Sequence, residues 1–484
     1  MTAKNTAVLA LVLTFAAAAA GQTASGDDPG LPPDTTARTL TLRPAAESRP
    51  ALRYTLLPHV LDQTEGNAAA AYKALIETWE ARADHEAMED QVAGWLKQPV
   101  GALPVERVRR VLAAYPLAGL RDAARMEHCD WELPIRTEGI NLMLPSLGSM
   151  RQFARAIALQ ARLQIHAGDF TGAIDSLQTG FAMADHVGRP YVLISGIVAI
   201  AITQQMLDVV ETWIETPGSP NLYWALAALP RPFMALDRSM QVERSILLVS
   251  LPSLRKFLYS EMTPDEWAAT AGALRQELGE LLDVMENVSS RGAPSGENLA
   301  PMALALKYYS PAKAWLVREG YAPEAIERMP VLYVTLRYLV GDFLYWSGET
   351  QKWFHVPFWQ GYPRIQRADE AFMDAVRDGD VGILTRVFMP YMGKAYAIMA
   401  EMDRHIAALE CIEALRMQAA ADGGTWPRSL EAVVVVPLPI NPMTGRPFEF
   451  RRGDDGAVLV AAALEGMEGR FWTRYDLAFG QSPK

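Results

Sequence analysis

From about residue 51 to about residue 421 the chain repeats one pattern: apolar residues three and four apart, in segments cut by short Gly/Pro breaks. The breaks fall near 99–104, 132–145, 188–190, 217–220, 230–232, 291–295 and 361–363. A 3.6-residue period gives each segment one apolar stripe, and that stripe must be buried against another helix. The pattern therefore predicts a mainly α fold, an irregular helical bundle or solenoid, over 51–421. With hydrophobic residues at 50%, such a body has enough apolar material for its cores. Gly 34 and Pro 32 are ordinary levels, which excludes collagen-like and low-complexity chains.

The clearest unit spans 148–187. Its first helix carries Met150, Phe153, Ala154, Ile157 and Ala161 on one stripe, and its second carries Phe170, Ile174, Leu177, Phe181 and Ala184. Gly168 is placed to end the first helix and Asp169 to cap the second. Ala161, Ala173 and Gly180 are small enough for close helix approach. The string Gly168-Asp-Phe-Thr-Gly-Ala-Ile-Asp-Ser-Leu177 resembles the turn and second helix of a tetratricopeptide repeat, with Gln164 in place of the repeat's usual tyrosine. Residues 66–72 are a weaker echo and no third copy follows at a fixed period, so a tandem array is not expected. A plain helical hairpin reads the same residues equally well.

Beyond the long apolar pattern of 385–421, Asp422-Gly423-Gly424 stops the helix and the character changes. Val433–Val436 is a β-branched run that predicts a buried strand. Asn441-Pro442-Met443-Thr444-Gly445 predicts a turn, and 448–451 with 457–461 predict a β-hairpin. Tyr475–Phe479 is a further candidate strand. Residues 422–484 thus read as a small α+β cap on the helical body.

The N-terminus reads as an address. Lys4 precedes an uncharged apolar run from Ala7 to Ala20, and Ala18-Ala19-Ala20 offers a small-residue cleavage site. Residues 1–20 have the pattern of a secretory signal peptide, which predicts an exported protein, periplasmic or secreted. A retained N-terminal anchor is the alternative. Residues 21–50, polar and rich in Gly, Pro, Ser, Thr and Asp, read as a flexible leader. No other stretch reads as a membrane span: the run 191–202 gives way to Thr203-Gln204-Gln205, and 331–346 is broken by Arg337 and Asp342.

Several strings together resemble a family of uncharacterised exported bacterial helical proteins. They are Leu52-Arg-Tyr-Thr-Leu-Leu-Pro58 with Gly66-Asn-Ala-Ala-Ala-Ala-Tyr72, Cys129-Asp-Trp131, the 150–187 helical pair, and three strings within 407–450. Those three are Ala407-Ala-Leu-Glu-Cys-Ile-Glu-Ala-Leu-Arg416, Gly423-Gly-Thr-Trp-Pro-Arg-Ser-Leu430 and Ile440-Asn-Pro-Met-Thr-Gly-Arg-Pro-Phe-Glu-Phe450. The resemblance implies an exported helical protein and brings no activity, cofactor or catalytic residue. The segment 397–461 also resembles the tail of type II secretion pseudopilins, with Asn441 where such tails usually have Asp. The methylated pilin helix of those proteins is missing here, so pilus assembly is not expected.

Chemistry is sparse. A net charge of −11 argues against nucleic acid as a partner. Zinc-protease, nucleophile-elbow and phosphate-loop motifs do not occur, and no two of the seven histidines are spaced as a metal pair on one helix face. No cofactor or metal is expected. Glu127-His128-Cys129-Asp130 is the densest reactive cluster, but adjacent residues do not share a helix face. His85 with Glu89, and Asp237 with Glu243 and Arg244, read as a solvated face and a structural ion pair. Cys129 and Cys411 read as buried free thiols, with a disulfide between them as the alternative that export would permit. Aromatics crowd 308–359; most read as core, whereas Trp346, Trp353, Phe354 and Trp359 flank Gly/Pro breaks and are the candidates for an exposed binding strip. The expectation is a protein- or peptide-binding module. The alternative is an envelope hydrolase acting on glycan or peptide, built on that aromatic segment with Asp342 and Glu349.

Overall fold

A computed structural model of the chain describes residues 31–480 apart from 140, 141, 143, 145, 146, most of 254–299, 390 and 391. The signal-like segment 1–20 and the first part of the leader, 21–30, lie outside the described residues. The longer helices are α1 (Ala68–Glu80), α2 (His85–Leu96), α3 (Val105–Leu112), α4 (Leu117–Ala124), α5 (Leu147–His166), α6 (Phe170–Gly188), α7 (Leu193–Glu215), α8 (Asp237–Ser250), α9 (Ala300–Arg318), α10 (Val331–Gln351), α11 (Phe358–Asp378) and α12 (Met392–Ala421). The fold is mainly α with a small sheet, as the periodicity predicts.

The hairpin of α5 and α6 forms where the sequence places it. Gly168 takes φ 75°, a left-handed turn that glycine adopts without cost, and the Asp169 carboxylate accepts from Gly172 N at 2.9 Å to cap α6. Gly180 serves a different neighbour from the one expected. A Cβ there would lie 2.1 Å from Met206 Sδ, so its smallness seats α7 against α6.

Helix α7 changes one sequence reading. Its apolar character runs past Thr203-Gln204-Gln205 to Glu215, making it long and apolar enough to cross a membrane, yet 72% of its most apolar window is buried inside the protein. Its polar residues are satisfied there: the Thr203 hydroxyl donates to Ala199 O at 2.9 Å, and Gln204 reaches α12. It is the core helix of the body.

Among the described residues six strands complete the fold: β1 (Thr36–Leu42), β2 (Thr64–Asn67), β3 (Met126–His128), β4 (Glu449–Arg452), β5 (Gly456–Ala461) and β6 (Thr473–Phe479). The hairpin β4–β5 and strand β6 match expectation and pair antiparallel. Two expectations fail. Residues 36–42, read as part of a flexible leader, form β1 and pair in parallel with β6, giving the sheet order β1-β6-β5-β4. The Thr-rich string hides an alternation that buries Leu40 and Leu42. Conversely, Val433–Val436 forms no strand. It follows a short 3-10 turn, Val434 is 78% exposed, and the Gln418 side chain accepts from Val434 N and Val435 N in place of a neighbouring strand. The cap at 422–484 is therefore closed by a strand from the other end of the chain.

Among the described residues two hydrophobic clusters result. The larger unites α1–α7, α12 and the sheet. The smaller is built on Tyr308, Leu316, Val334, Tyr338 and Phe343 of α9 and α10.

Candidate functional site

Most residues singled out from the sequence prove to be structural. Cys129 and Cys411 are free and buried, so the disulfide alternative fails, and burial pushes each thiol up to about 12, away from the thiolate form that reacts. The four candidate aromatics are half-buried and do not form one exposed strip. Trp346 packs edge-on against Phe372, Phe354 lies 4.3 Å from the Tyr396 ring, and Trp353 lies under Lys352 and Arg364. Trp359 covers Gly445, where a Cβ would meet its ring at 2.6 Å, so it joins α11 to the turn before β4.

The acids of the hydrolase alternative are also committed. Asp342 is buried and accepts from Gly382 N at 2.9 Å and from the Thr385 hydroxyl at 2.5 Å; Glu349 pairs with Lys352 at 2.6 Å. Glu89 accepts from Trp79 Nε1 at 2.8 Å, whereas the His85 ring contacts Arg82 O. Glu243 accepts from Leu193 N at the start of α7, and Arg244 reaches Leu344 O. In the 127–130 cluster, His128 is exposed and Trp131 anchors the core by donating to His186 O at 2.8 Å.

The structure instead assembles a site from residues that no local motif links. A cavity of about 350 Å3 lies where the sheet meets α5, α7 and α12. Helix α7 brings Gln204 and Asp208 to it, one turn apart; α12 brings Glu401, Arg404 and His405; β1 and β6 bring Arg38, Thr473 and Tyr475; α5 brings Arg151 and Arg155. Arg470 and Phe471, just before β6, complete it.

At one side is a polar cluster. Arg38 Nη1 lies 2.8 Å from Asp208 Oδ1 and 2.7 Å from Glu211 Oε2. His405 Nε2 lies 2.9 Å from Glu211 Oε1, and its Nδ1 lies 2.8 Å from Gln204 Oε1. Burial works against the Glu211 carboxylate, but the His405 hydrogen bond and the Arg38 charge outweigh it and hold the carboxyl below its ordinary value. Asp208, Glu211 and His405 each offer a metal-ligand atom, all within 4.8 Å of one another. The Arg38 guanidinium bridges both carboxylates, so the positive charge such a cluster attracts is already supplied by β1. The arrangement acts as an ionic clamp holding β1 to α7 and α12. Both His405 nitrogens face an oxygen partner within the protein.

Further arginines line the same cavity. Arg404, 2% exposed, donates through Nη1 to Ala461 O at 2.9 Å and to Phe471 O, and through Nη2 to Thr473 Oγ1 at 2.9 Å. Among the described residues its Nε–H has no partner. Burial lowers the Arg404 pKa while the nearby Glu401 opposes that shift; burial likewise raises Glu401. Arg151 is lowered by burial and by Arg155 beside it. Sequence reasoning missed this site because it sought histidine pairs on one helix, whereas the partners come from separate segments. The readable cue is a polar stripe, Gln204, Asp208 and Glu211, in an otherwise apolar helix.

No family model, curated protein or solved structure matches the chain.

Proposed function

We propose that this chain is an exported binding module that holds a protein or peptide ligand without transforming it, and that the cavity between sheet and helical body is where it binds. The single observation that carries this reading is the cavity itself. It is walled by rigid elements from both ends and the middle of the chain, and its size falls in the range of small-ligand sites and of pockets that seat one anchoring side chain. The state of the acid–base groups supports binding over turnover. His405 is held at both nitrogens, Asp208 and Glu211 are neutralised by Arg38, and Thr473 accepts from Arg404. Among the described residues no nucleophile stands beside a free base. Export rests on the signal-like residues 1–20.

Two measurements test the proposal. The full-length gene product, expressed with its own leader, is expected outside the cytoplasm with a mature N-terminus near Gly21. The purified mature protein, used to probe an array of immobilised peptides, is expected to be retained on a subset and to leave those peptides intact. Cleavage of the retained peptides would refute a purely binding role, and retention nowhere on the array would refute peptide recognition.

A further inference from the structure

We propose that the cavity takes an apolar chain ending in a carboxylate, with Arg155 of α5 receiving the carboxylate and isoleucines of α7 and α12 receiving the chain. This rests on the reading that the cavity is the binding site. Charge balance is the first argument. Five arginines line the cavity against two lining carboxylates, Asp208 and Glu401. Arg38 is neutralised by Asp208 and Glu211, and Arg470 lies 2.5 Å from Glu468. Arg404 makes only neutral hydrogen bonds, and Arg155 donates to Gln152.

The buried Arg404 guanidinium has Glu401 as its nearby counter-charge, which leaves Arg155 as the lining cation with no ion pair among the described residues. An anion entering the cavity would meet the half-exposed Arg155 and supply its missing counter-charge. A guanidinium presents a planar fork that matches a carboxylate. The carboxylates of Asp208 and Glu401 on the same wall would repel a doubly charged phosphate more than a singly charged carboxylate. The second argument is the rest of the wall. Ile194, Ile197, Val198, Ile398 and Phe471 make it apolar, which favours a hydrocarbon or apolar side chain behind the charged end. Two sources carry this chemistry: the C-terminus of a peptide ending in an apolar residue, and a free fatty acid.

Calorimetric titration of the mature protein separates them. The probes are a tripeptide ending in leucine with a free carboxylate, the same tripeptide amidated, decanoate and decanamide. At least one carboxylate probe is expected to bind about tenfold or more tightly than its amide, the worth of one charge-assisted hydrogen bond. Its affinity should fall with salt, and Arg155→Met, at a half-exposed position, should remove most of the advantage over the amide. Whichever carboxylate binds identifies the source. Equal affinity for acid and amide overturns the proposal, as does binding of no probe, or a preference that Arg155→Met leaves intact. Ala201→Trp, at the exposed rim, separates this failure from failure of the broader reading. If acid and amide bind equally and Ala201→Trp abolishes both, the cavity still binds and only the carboxylate assignment falls. If Ala201→Trp leaves peptide binding unchanged, the cavity is not the binding site and both fall.

Discussion

Arg416→Met is predicted to be among the most damaging single substitutions in this protein. Arg416 is 1% exposed and pairs through Nη1 with both oxygens of Glu413, itself 0% exposed, at 2.9 Å. The same guanidinium donates to Ser219 O at 3.1 Å, Ser219 Oγ at 2.8 Å and Arg43 O at 3.0 Å, so it ties α12 to the α7 exit and to the end of β1. Methionine fills similar length but leaves Glu413 buried without its cation. Breaking such a pair from one side costs about 3–5 kcal/mol, because the remaining charge stays desolvated. The orphaned Ser219 and Arg43 carbonyls act in the same direction without adding in full. Burial already raises the Glu413 carboxyl while Arg416 opposes that shift; without Arg416 it rises further. A raised carboxyl stabilises the fold below its ordinary range and forfeits that stability as pH rises. The deficit of Arg416→Met should therefore be larger at pH 8 than at pH 5.

Urea titration of wild type, Arg416→Met and the double variant Glu413→Leu/Arg416→Met is the assay. Arg377→Met, which removes an exposed pair with Asp374, serves as control and should cost under about 1 kcal/mol. The double variant should recover much of the loss, since no lone charge remains buried. A cost below about 1 kcal/mol for Arg416→Met, or a double variant worse than the single, would refute this account of the network.

Four further outcomes follow from the same contacts. Burial pushes Asp403 up to about 7 from its ordinary 3.8, so its contribution to stability is full below about pH 4 and is lost as pH rises toward 7. Asp403→Asn, which keeps an acceptor for Phe233 N, should raise the melting temperature at pH 8 and change little at pH 4. Arg38→Met opens the clamp and should let protease cut within 31–42 before the helical body is attacked. Its stability deficit should shrink as pH falls and Glu211 protonates, which melts across pH would register. Asp342→Ala leaves Gly382 N and the Thr385 hydroxyl without their acceptor and should cost about 1–3 kcal/mol in a urea titration. Native protein should expose essentially no thiol to a chromogenic disulfide reagent, and denatured protein two per chain.

What the sequence made legible, and what it did not, divides on one physical point. Periodicity reports which residues want to be away from water, so it places α5, α6, the end of α12 and the β4–β5 hairpin within a few residues, although the single helix expected over 385–421 is two, Ile383–Phe388 and Met392–Ala421. It does not report what covers a helix's polar face. In α12 the sequence shows an apolar stripe through Ile406, Leu409, Ile412 and Leu415 and assigns no partner to the residues off that stripe. Yet Arg404, His405, Glu410, Glu413 and Arg416 are all buried, because the sheet packs on one side of α12 and other helices on the rest. Their partners lie in α7, in the segment before α8 and in residues 38–43, far along the chain, and no local spacing encodes them. The same omission turned β1 into a leader: a short strand with two buried leucines has no meaning until β6 is beside it. Both errors meet at the cavity. The polar face of α12 had to face something, and through Arg404 it faces Ala461, Phe471 and Thr473, next to the strand β6 that pairs with β1, whose Arg38 neutralises the acids of α7. Charged residues spaced at three and four along an otherwise apolar helix are thus the sequence signal to follow here. In a helix this long and this apolar, they mark where distant segments dock, and the candidate site lies at that docking.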